Sequence, residues 1–421
     1  MIFTKLTKYD ITFFFILVTI VGLVWSKFLI SQGIIWLSVI SVFSWDSKRK
    51  FPIHLNPQFL FVFSHLRHFI PELSMIGLIL IAFLGGIGST DIAYWMEKVR
   101  IRLPFLAFPL IMLILPKMNK KHFYLLLLIF SSILTFTALG AVINFLFHYD
   151  LMIQMIGKGQ SIPVPLHHIR FSLLLSYSIF ANFYLCKHLR KEQRFWSNYA
   201  LVLGIIAIIC LHILSVRSGL AVFYVLSILY LFRAIFIKKK YLLGFGLIIL
   251  LTSLPFVFYQ FNSSFNTKMN YSKWDLGQFM ENNGQNYSDS ERLTSILVGI
   301  DIYKDHPLFG IGTGDVNNEV KRIYKEKYPA YEYAKLPHNQ LVVTLASNGI
   351  VGLILFLGIY FFPIFYRKGY KDFLVTALSI TVFLSFLVES TFETSQGVTM
   401  YAFLFSFIFI THSKILAEPI I

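Results

Sequence analysis

A few ionisable side chains in this chain stand where apolar sequence borders polar sequence. Arg170 opens the run HIRFSLLLSY. Arg217 lies in SVRSG, between two apolar runs. Arg292 follows Ser288 in SDSERLTS, and His338 heads the run LPHNQLVVTLASNGIVGLILFL. Ionisable groups this close to apolar sequence are costly and face a cavity or a partner. Arginine suits phosphate, because its planar fork donates two parallel hydrogen bonds. Histidine titrates near neutral pH and suits deprotonating or orienting a hydroxyl. Each residue also has a plainer reading. Arg170 can snorkel to lipid headgroups, Arg292 can pair with Asp289 or Glu291, and His338 can be a satisfied interfacial histidine. The short link around Arg217 leaves less room for such a reading.

The elements that position these residues are membrane helices. Of 421 residues, 56% are hydrophobic, 45 are Phe, and the mean hydropathy is +0.68. Apolar runs recur at 10–26, 28–45, 74–89, 102–116, 122–147, 168–187, 197–214, 218–236, 241–259, 339–362, 373–389 and 397–413. Together they predict an all-α integral membrane protein of about twelve spans. The first run follows Lys5 and Lys8 without a small-residue cleavage site, so it reads as a membrane helix rather than a leader. Residues 51–73, with His54, Arg67 and His68 among aromatics, read as a loop or an interfacial helix. The two cysteines, Cys186 and Cys210, lie in or beside apolar sequence and read as packing thiols.

The net charge of +16 does not point to nucleic acid. The basic residues cluster in short links such as Lys48–Lys50, Lys117–Lys121, Lys187–Arg194 and Lys238–Lys240. All of these fall on the side of the N-terminus, which places both termini in the cytoplasm. Arg170, Arg217, Arg292 and His338 then share the outer side. Arginines converging there without matched carboxylates nearby in sequence make a site for an anion. A metal is discounted, because His148, His167, His168 and His306 show no ligand spacing.

One link, residues 260–337, is long, polar and nearly balanced in charge, so it is expected to fold as an outer loop domain. It separates a bundle over 1–259 from C-terminal helices over 338–421. Ser288 and Glu291 have capping-box spacing ahead of a helix through Asp305. A second helix is expected from about Val316 to Lys327, ending before Pro329. Arg292 in a first helical turn opposes the macrodipole, so it does not stabilise that helix. With free N–H groups beside it, it would make a phosphate-binding spot. The GIGTG stretch, Gly310–Gly314, lacks dinucleotide-fold spacing and reads as a flexible turn, or less readily as backbone approaching a phosphate. Glu389 and Glu393, on the last outer connection, are candidates to orient His338 or the hydroxyls of a substrate, against a plainer reading as solvated surface carboxylates.

Taken together, ERLTSILVGIDIYKDHPLFGIGTG and HNQLVVTLASNGIVGLILFL resemble the C-terminal signature of the O-antigen ligase and polymerase superfamily. SVRSGLAVF resembles the upstream arginine motif of that family. The resemblance implies a GT-C-type glycosyltransferase of the bacterial inner membrane, with its active site on the periplasmic face. The donor would be a glycan on undecaprenyl diphosphate, and membrane lipid would surround the enzyme. In an O-antigen ligase the acceptor is a sugar hydroxyl of lipid A–core, and transfer inverts the anomeric centre without a metal or other cofactor. Carried onto this chain, Arg217 and Arg292 would bind the diphosphate, Arg170 would support phosphate or substrate, and His338 would activate the acceptor hydroxyl. The same signature fits an O-antigen or capsule polymerase, then a protein O-oligosaccharyltransferase. A transporter or glycolipid flippase is the rival from another class. The short link after the sixth run, about 188–196, counts against its two-half architecture.

Overall fold

A computed structural model describes residues 7–45, 53–165, 167–281, 283–285 and 287–416, which are overwhelmingly helical. Helices α1 (Lys8–Trp25) and α2 (Lys27–Val42) form a hairpin turned at Ser26. Ser26 ends α1 and caps α2, its Oγ accepting from the Leu29 amide at 3.4 Å. A small antiparallel pair follows, β1 (Phe43–Trp45) and β2 (Ile53–Leu55). Then come α3 (Pro57–Ser64), α4 (Ile70–Leu73) and α5 (Ile76–Leu84). The segment 51–73, read as a loop or an interfacial helix, holds a strand, two short α-helices and a 3-10 turn at Leu66–Phe69, with 51 and 52 outside the described residues.

Next are α6 (Ile92–Arg102), α7 (Pro104–Ile114), α8 (Lys120–Phe147), α9 (Tyr149–Gly157), α10 (His168–Leu189), α11 (Arg194–Leu214), α12 (Arg217–Phe232) and α13 (Tyr241–Phe261). The polar segment holds α14 (Ser263–Met280), α15 (Ser288–Asp305) and α16 (Val316–Lys327). The chain closes with α17 (Gln340–Phe365), α18 (Phe373–Phe386) and α19 (Ser395–Leu416).

Each of the twelve predicted apolar runs coincides with a helix. Among the described residues, seven helices are long and apolar enough to cross a membrane. They become eight if the segments Leu66–Leu73 and Ile76–Leu84, bent by 78°, form one broken span. Helices α2 and α18 and the Ser395–Thr411 stretch are shorter apolar helices. The 11 residues of α7 rise only about 16 Å, against about 30 Å of hydrocarbon. Length alone therefore does not make twelve full spans.

Helix α10 is the axis of the bundle and is buried along most of its length. It packs on α8, α11, α12 and α18. Small side chains such as Ser172 and Ser178 satisfy themselves on carbonyls of their own helix, at 2.7 Å each. They let neighbouring helices approach where apolar area gives no driving force between helices in lipid. The basic links gather at one end of this bundle. Tyr9 meets His122 at 2.6 Å there, and Lys120 and Lys121 share a small cavity with Glu192 and Gln193. The polar segment lies at the other end, beside the N-termini of α10 and α12.

The predicted helices of the polar segment appear with the predicted bounds, as α15 and α16. Helix α14 was not anticipated. Its buried residues, Ser264, Lys268, Tyr271 and Asp275, fall on one helical face but are mostly polar. The expected capping box does not form. Ser288 is already inside α15, and the helix start is capped from α14. The Asp275 carboxylate accepts from the amides of Asp289 (2.8 Å) and Ser290 (3.1 Å) and from the Ser290 hydroxyl (2.5 Å).

Helix α17 is broken at Gly349, whose φ of 63° and ψ of −168° no helix contains. The Pro307–Gly314 stretch threads that break. Ile311 and Gly312 donate to the carbonyls of Ala346 (3.0 Å) and Ser347 (2.9 Å). In return Ile350 and Val351 donate to the carbonyls of Pro307 (2.9 Å) and Leu308 (3.2 Å). The backbone groups freed by the break are thus satisfied by the loop. A further bond runs from the Thr313 amide to the Gly85 carbonyl at 2.8 Å, and the Asp315 carboxylate accepts from Thr90 and Asp91. The glycine-rich stretch is therefore a pinned connector, in place of the flexible turn expected for it.

Candidate phosphate and hydroxyl site

The starts of α10, α12, α15 and α17 and the end of α18 meet at the polar-segment end of the bundle. Four helix N-termini bring partial positive charge, and arginines add to it. Arg217 is held by a two-residue link in which Ser215 takes a left-handed conformation, φ 54°, with its hydroxyl on the His212 carbonyl at 2.8 Å. Its guanidinium grips Asp289 with two bonds, 2.7 and 2.6 Å, while remaining partly exposed. Burial works against the Asp289 carboxylate, yet the bonds from Arg217 hold its pKa below the usual value.

Arg292 sits one turn further into α15. Its expected partners are taken: Asp289 by Arg217 and Glu291 by Lys335. Among the described residues its guanidinium makes no hydrogen bond or ion pair. Burial, and then the charge of Arg217, push its pKa down, with Asp289, Glu389 and Asp275 opposing. Arginine does not lose its proton under such pressure. Burial leads that pressure, so it marks a charged guanidinium poor in solvent, which an anion beside it would relieve. The N–H groups at this helix start are not free for that anion, because Asp275 occupies them. The charge that remains open is the side chain's.

His338 precedes α17, and its neighbours explain its placement. Asn339 caps the helix, its Oδ1 accepting from Leu341 (2.9 Å) and Val342 (3.1 Å). Gln340 accepts from the Phe392 amide at 2.7 Å and donates to Glu393 at 3.3 Å. The half-buried imidazole itself has no hydrogen-bond partner among the described residues. Burial first, then Arg292 and Lys335, bring its pKa down to about 4, with Glu389 pulling the other way. At neutral pH the ring is therefore uncharged.

Arg170 differs from the sequence picture of an arginine turned to phosphate. It is buried and bonds Gln396 at 2.7 Å and Glu389. Glu389 and Glu393 also differ from solvated surface groups, since both are buried. Glu393 is clamped by Lys98 at 3.3 Å and by Arg102. Burial would raise its pKa, but Arg102 and Lys98 hold it at about 2. Phe392, between the two carboxylates, packs on Phe105 (4.8 Å) and Phe386 (4.8 Å) and fixes the connection. Removing Glu393 leaves two buried cations unpaired, so Glu393→Met is expected to cost about 3–5 kcal/mol. Thermal unfolding in detergent measures that loss.

The site also contains residues that the sequence did not single out. Lys268 of α14 donates to the carbonyls of Gly159 (3.0 Å) and Gln160 (3.1 Å). Burial and the charges of Arg217 and Arg292 draw its pKa to about 8. His167 and His168 lie with ring centroids 4.6 Å apart, tilted by 30°, within the field of Arg292. A buried polar helix face would have been the only signal for Lys268. No group of three His, Cys, Asp or Glu among the described residues is arranged to hold a metal.

Residues 201–357 match the family described as O-Antigen ligase. The matched segment runs from α11 into the second half of α17 and includes Arg217, Arg292 and His338. No curated protein matches the chain.

Proposed function

From a segment, residues 201–357, that falls in the O-antigen ligase superfamily, we propose that the protein is an O-antigen ligase. It transfers a glycan from undecaprenyl diphosphate to a sugar hydroxyl of lipid A–core. The observation that carries this reading is the Arg292 guanidinium beside the His338 imidazole, neither with a hydrogen-bond partner among the described residues.

In the reaction the bond between the anomeric carbon and the phosphate oxygen breaks. The acceptor oxygen attacks from the opposite face, inverting the centre, and its proton passes to His338. The leaving diphosphate gains negative charge, which Arg292 meets directly and Arg217 from its pair with Asp289. Fixed positive charge of this kind stabilises the transition state without reorganisation. Arg170 acts through Glu389, holding a carboxylate near His338 and Arg292. The gathering of basic links at the opposite end of the bundle supports cytoplasmic termini, with residues 260–337 as a periplasmic domain. The enzyme then works in the inner membrane, as a GT-C-type fold.

Deleting the gene in its source organism tests the acceptor. Lipopolysaccharide whose core carries no transferred glycan at all, not even one repeat unit, supports the ligase. Core carrying a single repeat unit overturns it in favour of a polymerase. Transfer by the purified protein is expected to continue in excess EDTA; loss of transfer that added divalent cation restores would remove the metal-free mechanism.

A further inference from the structure

The segment Lys335–His338 lies along one face of α15. Glu291 pairs with Lys335, Ser295 binds His338, and Gly299 meets Pro337. These three positions are four residues apart, so they stack on one side of the helix. At Gly299 a Cβ would fall 2.5 Å from Pro337 Cγ, so the segment is pressed onto the helix. The central contact is the informative one. The Ser295 hydroxyl donates to the Arg292 carbonyl at 2.7 Å and accepts from the His338 amide at 3.1 Å. Ser295 is fully buried, so this hydroxyl has no water to turn to.

We propose that Ser295 is a positioning residue which fixes the backbone of His338 to the helical turn that carries Arg292. This inference rests on the ligase reading above. That hydroxyl is the link at His338 itself between the group that holds the leaving diphosphate and the group that takes the acceptor proton. Both sit on one rigid unit, so donor and acceptor geometry are set before substrate arrives. Misplacement by about 1 Å can cost about 100-fold in rate. The effect falls on turnover, because the Arg292 side chain that meets the donor does not pass through Ser295.

The experiment uses the full-length protein in detergent, a polyprenyl-diphosphate oligosaccharide as donor and purified lipid A–core as acceptor. Ser295→Ala is expected to lower kcat about 10- to 100-fold, with the donor KM within about twofold. In a His338→Ala background the same change is expected to lower the residual rate no further, since the group it positions is gone. Unchanged kcat in Ser295→Ala overturns the proposal, as does an equal loss in both backgrounds. If Ser295→Ala does not fold, Ser295→Cys carries the same comparison, because a thiol of similar size is a weak hydrogen-bonding group. Wild-type transfer by His338→Ala would instead sink the ligase reading of the site, a result separable from any failure of the Ser295 inference.

Discussion

Replacing His338 with alanine is expected to slow glycan transfer by at least about 100-fold, the usual worth of a positioned general base. Donor binding is expected to survive. Arg292→Ala should cost a comparable factor and should also weaken the donor, because its guanidinium has no partner among the described residues to hold it away from a phosphate. Arg292→Lys restores only part of the rate, as a point charge lacks the fork that matches two phosphate oxygens. The pH dependence separates the roles. The His338 pKa is lowered to about 4, first by burial and then by Arg292 and Lys335. The protonated ring cannot accept a proton, so kcat/KM is expected to rise with pH through about 4 and then level off. Bound diphosphate offsets the charge of Arg292, so the same limb in kcat lies at higher pH. Arg292→Gln removes one of the depressing charges, so its kcat/KM limb moves up as well. An acid limb that persists unchanged in His338→Ala would assign it to another group and end the general-base role of His338.

As candidates, these residues stand out in the sequence because each breaks a local expectation. A cation close to the start of α15 and a histidine at the head of an apolar run both run against helix and membrane preferences. The bounds of α15 and α16 were legible from apolar spacing and from Pro329. Helix α14 was not, because its buried face is Ser264, Lys268, Tyr271 and Asp275, and a search for apolar period passes over it. The cap of α15 was misread for the same reason. Ser288 and Glu291 have the local spacing, but Asp275 reaches the helix start from a separate helix. Burial of Glu389 and Glu393 was hidden because their partners, Arg170, Lys98 and Arg102, lie more than 200 residues away in sequence. The openness of Arg292 follows only from knowing where Asp289 and Glu291 turn, which is a tertiary fact.

The glycines of α17 carry the other large expected effect. Gly349 combines a positive φ with an extended ψ, a region open essentially to glycine alone. A Cβ there would stand 2.2 Å from the Leu308 carbonyl oxygen, and that oxygen is fixed by the Val351 amide at 3.2 Å. The neighbour that must yield is backbone held from both sides. Gly310, φ 69°, faces the same joint, its Cβ position 2.4 Å from the Asn348 amide nitrogen. Gly349→Ala therefore sets backbone strain and a backbone clash against the four hydrogen bonds of the joint. We expect a loss of about 3 kcal/mol or more, seen as a lower unfolding temperature and a poor yield of monodisperse protein. Gly358 lies in the same helix with nothing within 4 Å of its Cβ position. There alanine is expected to be neutral or to stabilise by up to about 1 kcal/mol. Equal unfolding temperatures for the two variants would mean that the break at Gly349 is not fixed by the loop. Unequal ones would tie the helix half that follows His338 to a joint made of main chain, where glycine is the only trace left in the sequence.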